Sequence, residues 1–329
     1  MESCELTVIV PSRSEMFLKN TVEDILAHKE ADTEIVITLD GAWANPPLTQ
    51  HPSVNVIFVP VAIGQRAGQD IAARLARGKY IMKVDAHCSF DQGFDRKMLE
   101  AFKITGDNVT MVPVMNNLHA FNWLCRRCRW RLYQGPTPKE CGRCKRTKYL
   151  VREMVWKSRR GVHSSAYCFD SEPHFQYHNE YKHQPKYIEN KKTGFTETMS
   201  LQGSCFMATK EKYWELELGG EALGNWGNQG LQVACATWLS GGRCLVYHGT
   251  WYAHMFRTQG GDFSFPYDQS GRQVQKTKNA VRDLFWQKKH PKQIYPVSWL
   301  VDRFWPVPGW NDDALAKLKR ESKKHKNMI

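Results

Sequence analysis

The sequence predicts an α/β protein: a mostly parallel, doubly wound sheet flanked by helices, with an inserted four-cysteine module and a helical C-terminal extension. Two observations set the class. Apolar runs of strand length alternate with helical periodicity through the first 85 residues, and two Cys-x2-Cys pairs interrupt that order between residues 125 and 144. A third observation sets the scale. The chain has 329 residues, 42% hydrophobic and 12% aromatic, which allows one large or two modest cores and excludes global disorder.

Residues 6–11 (LTVIVP) read as the first strand, followed by the turn-rich Ser12-Arg13-Ser14-Glu15. Residues 15–28 have helical periodicity, with Phe17, Leu18, Val22, Ile25 and Leu26 on one face. Strands follow at 34–39 and 55–59, then a helix at 68–77 and a strand at 79–85 that ends in Asp85. In a sheet of this kind ligands bind beyond the C-terminal strand ends, so Pro11, Arg13, Asp40 and Asp85 are expected to converge on one crevice. Residues 110–115 read as a further strand. The pattern then breaks into a Cys/Arg-rich segment at 119–160 and a polar stretch at 169–194 without clear periodicity. Order resumes with a strand at 199–207, a helix from about Lys210, a helix at 227–240 and a strand at 243–247. The last fifty residues read as a helical extension with Trp299, Phe304, Trp305 and Trp310 as packing anchors.

The net charge of +13 is unevenly spread. Residues 125–160 hold thirteen Lys/Arg against two Glu, and residues 317–326 hold six against one, leaving the rest of the chain close to neutral. Concentrated positive charge suits a polyanionic partner such as nucleic acid or an acidic membrane surface; a solubilising face and a frayed tail are the plainer alternative. No run approaches the ~18 apolar residues of a membrane span and no basic leader precedes an apolar stretch, so a soluble, cytoplasmic protein is expected.

Cys125, Cys128, Cys141 and Cys144 have the spacing of a closed tetrahedral Zn2+ site, structural because no position is left for a substrate. Two disulfides are the alternative. Zinc would hold Arg126, Arg127 and Arg143 on a rigid platform able to grip phosphates. Asp85-Ala86-His87 forms the second constellation: on extended backbone, residues i and i+2 share a direction, so carboxylate and imidazole can share one divalent ion. A structural aspartate beside a core histidine would look the same. His254, in WYAHMFR, is a third candidate ligand.

The segments VIVPSRSE, ITLDG and GQRAGQDIAARLARGKYIMKVDAH, in that order and spacing, resemble the nucleotide-sugar half of family-2-like glycosyltransferases of the GT-A (Rossmann-like) fold. The DxH variant and the later WGNQG and HMFR resemble the DxH, WGGE and HVFR segments of polypeptide N-acetylgalactosaminyltransferases. The resemblance covers roughly residues 6–118 and 196–258, and leaves the cysteine module and the C-terminal extension unexplained. It implies a nucleotide-sugar-binding half at 1–118 and an acceptor-side half at 166–275; the cysteine spacing and charge mark a basic Cys4 insertion at 119–165, and the periodicity a basic helical extension at 276–329. It implies further that Asp85, His87 and His254 hold Mn2+ or Mg2+ on the diphosphate of a UDP-sugar. Pro11, Arg13 and Asp40 fall where the family contacts the nucleoside. Arg66 and Gly68 fall near the nucleotide or diphosphate, though either residue could simply begin a helix, and Gly203 and Arg257 are further donor-side candidates.

One departure bears on mechanism. Where the galactosaminyltransferases have a glutamate three residues after the WG tryptophan, Trp226 is followed by Gly227, Asn228 and Gln229. An amide accepts no proton at neutral pH, which weakens inversion and favours retention, with the leaving diphosphate assisting the acceptor; Glu221 is the base if the alignment slips. Trp226 and Trp251 are candidates for stacking on sugar or base, and residues 260–271 for an aromatic lid. The basic module fits a nucleic-acid acceptor, and the chain looks similar to bacteriophage-associated enzymes that glycosylate hydroxymethylated pyrimidines in double-stranded DNA, which would place it in an infected host's cytoplasm. Two alternatives stay open: a transferase acting on a protein or glycan, and a non-catalytic nucleic-acid-binding protein on a transferase scaffold.

Overall fold

The structure, a computed structural model, describes residues 4–257, 263, 265–267 and 271–326. Its elements in chain order are β1 (Leu6–Ser12), α1 (Leu18–His28), β2 (Thr33–Asp40), β3 (Val54–Val59), α2 (Gln65–Leu75), β4 (Tyr80–Val84), β5 (Cys88–Phe90), α3 (Phe94–Thr105) and β6 (Val109–Cys125). There follow β7 (Arg131–Tyr133), β8 (Leu150–Ser164), β9 (Tyr167–Phe169), β10 (Phe175–Tyr177), α4 (Pro185–Lys192), β11 (Phe195–Glu197), β12 (Cys205–Thr209) and α5 (Lys210–Glu215). The chain ends with α6 (Gln229–Leu239), β13 (Arg243–His254), α7 (Gly271–Trp286), α8 (Val297–Arg303) and α9 (Asp312–Lys326). No helix among the described residues is long and apolar enough to cross a membrane.

The main sheet has the order β11-β13-β6-β12-β4-β1-β2-β3. Strands β3, β2, β1 and β4 are parallel neighbours, β12 runs antiparallel to both β4 and β6, and β13 is parallel to β6. Because side chains alternate across a strand, β1 serves both faces. Leu6, Val8 and Val10 share one core cluster with Val22 and Ile25 of α1 and Phe102 of α3, whereas Ile9 belongs to the cluster on the other face, with Ala72 and Ala73 of α2 and residues of α6 and α8. Phe304 is buried in that second cluster, with Trp299, Trp305 and Trp310 packed against it.

Several elements depart from the sequence expectation. The strand expected at 199–207 is instead β12, because the polar Gln202-Gly203-Ser204 leaves the sheet before Cys205. The helix expected from 227 begins at Gln229, since Gly227 (φ 102°) and Asn228 (φ 49°) are left-handed and cannot extend it. Strand β13 runs seven residues past the expected end, through an irregularity between Tyr247 and Trp251, to His254. Strand β6 is 17 residues long. Its second half extends the sheet by pairing antiparallel with β8, starting with Met115 opposite Ser164 and, past a register shift, continuing from Asn117 opposite Arg159 to Cys125 opposite Leu150. Those residues make a ribbon roughly 30 Å long, with the four cysteines at its tip. Its root has a small core of its own, which includes Phe17, Leu118, Phe121, Met255 and Phe263.

Candidate active site

Two strand ends and one turn assemble the centre. Asp85 follows β4, His87 precedes β5, and His254 ends β13 opposite Cys88 of β5. His254 Nε2 lies 3.1 Å from His87 Nε2 and 3.4 Å from Asp85 Oδ2, and His87 Nε2 lies 3.8 Å from the same oxygen. The Nδ1 atoms of both histidines are buried without a hydrogen-bond partner. Two imidazole nitrogens turned toward one carboxylate oxygen, with ligand atoms all within 4.8 Å, are a donor set that fits a divalent ion. Burial pushes the His254 imidazole down to about 4 against the pull of Asp85, so it is neutral and able to ligate at neutral pH. At Asp85 burial acts to raise the carboxyl, but Lys83, followed by His254 and His87, holds it well below the usual carboxylate range.

Three residues at this centre escaped the sequence reading. Lys83, 1% exposed, donates to Asp85 and to the Gly203 carbonyl (2.7 Å). Gln65 donates to Asp85 Oδ1 at 3.2 Å. Glu15 pairs with Arg257 through one carboxylate oxygen, while the other lies 3.3 Å from His87 Nδ1. A lysine inside an otherwise apolar strand, two residues before the aspartate and on its face, was the available signal for Lys83. Glu15 carried none beyond its place after β1.

A cleft of about 360 Å3 opens beside these ligands, with Trp226, Asn228, Gln229, Phe256, Arg257 and Phe265 among its walls. On its donor side, Pro11 lies near the C-terminal end of β1, in register with Thr38 of β2. Asp40 accepts from the backbone amides of Ile63 (2.7 Å) and Gly64 (2.9 Å), ordering the loop before α2. Arg13 donates to the carbonyls of Pro266 (3.0 Å) and Asp40 (3.4 Å), with its guanidinium 5.8 Å from the Tyr267 ring centre. Phe263 packs edge-on to His87 and sits 4.3 Å beneath the Arg257 guanidinium. The described part of the lid candidate therefore lies over the site; residues 258–262, 264 and 268–270 lie outside the described residues. Gly68 faces Thr38 and Pro11, and its carbonyl accepts from Thr38 Oγ1 (2.7 Å), so it serves helix–sheet packing beneath the crevice. Arg66 is 1% exposed and donates to the carbonyls of Gly219 (2.9 Å) and Gly227 (2.6 Å) and to Gln232 Oε1 (3.1 Å). Its guanidinium thus ties down the loop that bears Trp226.

On the acceptor side, Trp226 meets Phe265 edge-on at 5.6 Å. Gly203 abuts the start of α6, where an added Cβ would stand 3.2 Å from the Gly230 nitrogen. Gln229 donates to Gln69 (2.6 Å), which donates to the Tyr213 hydroxyl (2.9 Å), which donates to Asp70 (2.7 Å). Glu221 lines a separate cavity with Asp70, Trp214 and His290. Trp251 is also outside the cleft; it lines an outer groove with Trp156, and the Arg160 guanidinium stands 5.5 Å from its ring centre.

Residues 7–140 match the family model described as glycosyl transferase family 2. The crystal structure of GalNAc-T7 with UDP, GalNAc and Mn2+ superposes with a TM-score of 0.60 at 15% identity, over 98% of this chain and 55% of that one. Residues 7–140 therefore carry a family-2-like segment, and the chain has the GT-A fold. It spans about half the length of GalNAc-T7. Two structures of TarS from S. aureus are more distant: residues 1–349 give a TM-score of 0.44 at 12% identity, over 76% of this chain and 60% of that one. The other TarS structure gives 0.43 at 11%, over 77% and 37%. A search of curated proteins by sequence finds no match.

The family-2 match stops inside the ribbon, between its two cysteine pairs. There Cys125 Sγ lies 3.7 Å from Cys144 Sγ, and Cys128 Sγ 3.4 Å from Cys141 Sγ. Four thiolates around a zinc ion at 2.3 Å would stand about 3.8 Å apart, so the cluster fits that ion. The two turns are built alike: Arg129 (φ 62°) donates its amide to the Cys125 carbonyl, and Lys145 (φ 59°) donates to that of Cys141. Burial opposes the Cys141 thiolate, but the amides of Cys144 and Arg143, each 3.4 Å from its sulfur, bring it down to about 6. Arg126, Arg127, Arg143 and Arg146 are exposed around this tip.

Proposed function

We propose that this chain transfers a hexose from a UDP-sugar, with retention at the anomeric carbon, to a hydroxymethylated pyrimidine in double-stranded DNA. The observation that carries the donor half is the cluster of Asp85, His87 and His254 in a cleft walled by Arg257. The UDP and Mn2+ held by GalNAc-T7 on the same fold support it. When bound there, Mn2+ or Mg2+ would offset charge on the diphosphate as the glycosidic bond breaks. Arg13 and Arg257 suit the nucleotide side of the cleft, and Lys83 and Gln65 fix the Asp85 carboxylate.

Retention rests on what else lines the cleft. Among the described residues Asp85 is its one carboxylate, and it is committed to Lys83 and the ion site. Gln229, at the position of a general base, is an amide bonded to Gln69. With no other carboxylate among the described residues of the cleft, the acceptor oxygen bonds to the anomeric carbon on the face that the diphosphate oxygen leaves. Its proton passes to that oxygen.

The acceptor assignment rests on the ribbon. Thirteen basic residues against two acidic over 125–160 form a phosphate-binding arm, stiffened at its tip by zinc. Trp226, Phe256 and Phe265 offer flat surfaces to a base turned out of the helix. The test is UDP release from UDP-sugars with Mn2+, using duplexes containing hydroxymethylcytosine or hydroxymethyluracil beside unmodified DNA, with Asp85→Ala as control. Release confined to the hydroxymethylated duplex and lost in the variant is expected. Hydrolysis indifferent to DNA would leave a protein or glycan acceptor, and no turnover with any donor would leave a binding protein.

A further inference from the structure

We infer that Glu15 is a positioning residue of the ion site: its carboxylate holds the proton of His87 on Nδ1, so that Nε2 presents a lone pair to the ion. This rests on the reading of Asp85, His87 and His254 as ion ligands. Glu15 stands in the turn between β1 and α1, 8% exposed, and its Oε2 is buried without a hydrogen-bond partner. His87 is 4% exposed, and its Nδ1 is likewise buried without one. The two atoms are 3.3 Å apart. Two unsatisfied polar atoms at that separation in a dry site answer one another, because an N–H on Nδ1 donates to Oε2 and satisfies both.

The consequence falls on the opposite ring nitrogen. A neutral imidazole carries one proton; with that proton on Nδ1, Nε2 is bare, and it is Nε2 that faces Asp85 and His254. A carboxylate behind a ligating histidine also fixes the ring plane. Glu15 is itself held in place, since its other oxygen is paired with Arg257. Arg257 in turn lies over Phe263, whose ring is edge-on to His87, so carboxylate, guanidinium and aromatic ring enclose the back of the imidazole.

Glu15→Gln separates this role from simple packing. The amide introduced by that substitution has one acceptor and one donor end, and Arg257, a donor only, takes the acceptor. The NH2 end then faces His87 Nδ1, which must accept, and the proton moves to Nε2, where it blocks ligation. The expected result is Mn2+ affinity reduced about 10–100-fold, read from the electron paramagnetic resonance signal of free Mn2+ in the presence of UDP, with unchanged melting. Glu15→Asp is expected to recover part of it. Wild-type affinity in Glu15→Gln would overturn the inference. If Glu15→Gln fails to fold, the 15N shifts of the His87 ring in the unaltered protein decide: protonated Nδ1 supports it and protonated Nε2 sinks it. Should the unaltered protein bind no Mn2+, the ion-site reading fails, and the same shifts still test the contact between Glu15 and His87.

Discussion

Arg66→Met is the substitution that best separates a diphosphate ligand from a loop clamp. The guanidinium is 1% exposed and donates to two carbonyls and an amide oxygen at 2.6–3.1 Å, across the loop from Gly219 to Gln232. Its own backbone amide donates to the Asn225 carbonyl at 3.4 Å, so helix α2 and the loop are joined twice. Burial lowers the guanidinium pKa to about 10, with Asp70 opposing, so it stays charged at neutral pH. Methionine fills much of the volume and strands three buried acceptors, at about 1–3 kcal/mol each. Part of this is offset because the buried charge no longer has to be desolvated, leaving a net loss of roughly 3–5 kcal/mol. Urea unfolding should show a lower midpoint at unchanged slope. UDP affinity, measured with Mn2+ by titration calorimetry, should fall less than turnover, because the loop that carries Trp226 and Asn228 loosens. An unchanged midpoint with UDP affinity reduced more than tenfold would refute the clamp and place Arg66 on the diphosphate.

Other expectations follow from single contacts. Purified protein should contain one zinc per chain by elemental analysis, and Cys141→Ser should lose it, with duplex transfer falling while UDP-sugar hydrolysis persists; full zinc content in that variant would disprove the four-thiolate site. Gly230→Ala places a Cβ 1.8 Å from the Leu201 carbonyl oxygen, so α6 and the segment leading into β12 cannot keep their spacing. It should cost about 2–3 kcal/mol in denaturant unfolding. Glu34 is buried, which would raise its carboxyl, yet bonds from the Arg77 amide, Thr7 and the Arg77 guanidinium hold it below its ordinary 4.5. The unfolded chain therefore takes up this proton at higher pH than the folded one. The stabilisation is complete above 4.5 and is lost as pH falls through the folded value. Glu34→Gln should flatten the melting-temperature profile below pH 4.5; a profile parallel to that of the unaltered protein would show that Glu34 contributes nothing there.

The sheet was legible in its parallel half because three of its four strands are buried on both faces and read as near-continuous apolar runs. Strands β1, β2 and β4 are of this kind, and their ends carry Pro11, Asp40 and Asp85 to one crevice. The ribbon was not legible. Strand β8 reads LVREMVWKSRRGVHS, half exposed and rich in charge, with neither clean alternation nor an apolar run. It is held by β6 and by contacts such as Arg152 over the rings of Phe121 and Trp123, which no local pattern announces. Helix α3 escaped for a different reason. Its anchor is Asp95, which accepts from the amides of Glu30 and Ala31 and the hydroxyl of Thr33, more than sixty residues earlier in the chain. The ligand residues were legible because chemistry restricts their type. The groups that orient them, Lys83 and Glu15, act through distances that only the fold supplies.

One aromatic cluster fixes where the basic arm points relative to the cleft. Phe17, just after Glu15, meets Phe121 of β6 at 6.0 Å, Trp156 of β8 at 5.8 Å and Phe263 at 5.4 Å. Trp156 is held in a left-handed conformation (φ 47°), unfavourable for a bulky residue, while its indole donates to buried Asp24 of α1 at 3.0 Å. Ribbon, first helix and the loop over His87 therefore share one set of contacts at the ribbon's root rather than a flexible joint. Under the proposed function, an arm anchored this way would hold its arginines at a fixed distance from the cleft, as transfer to a single turned-out base would require. An arm tethered by a loose linker would raise affinity for DNA without selecting which base enters the cleft.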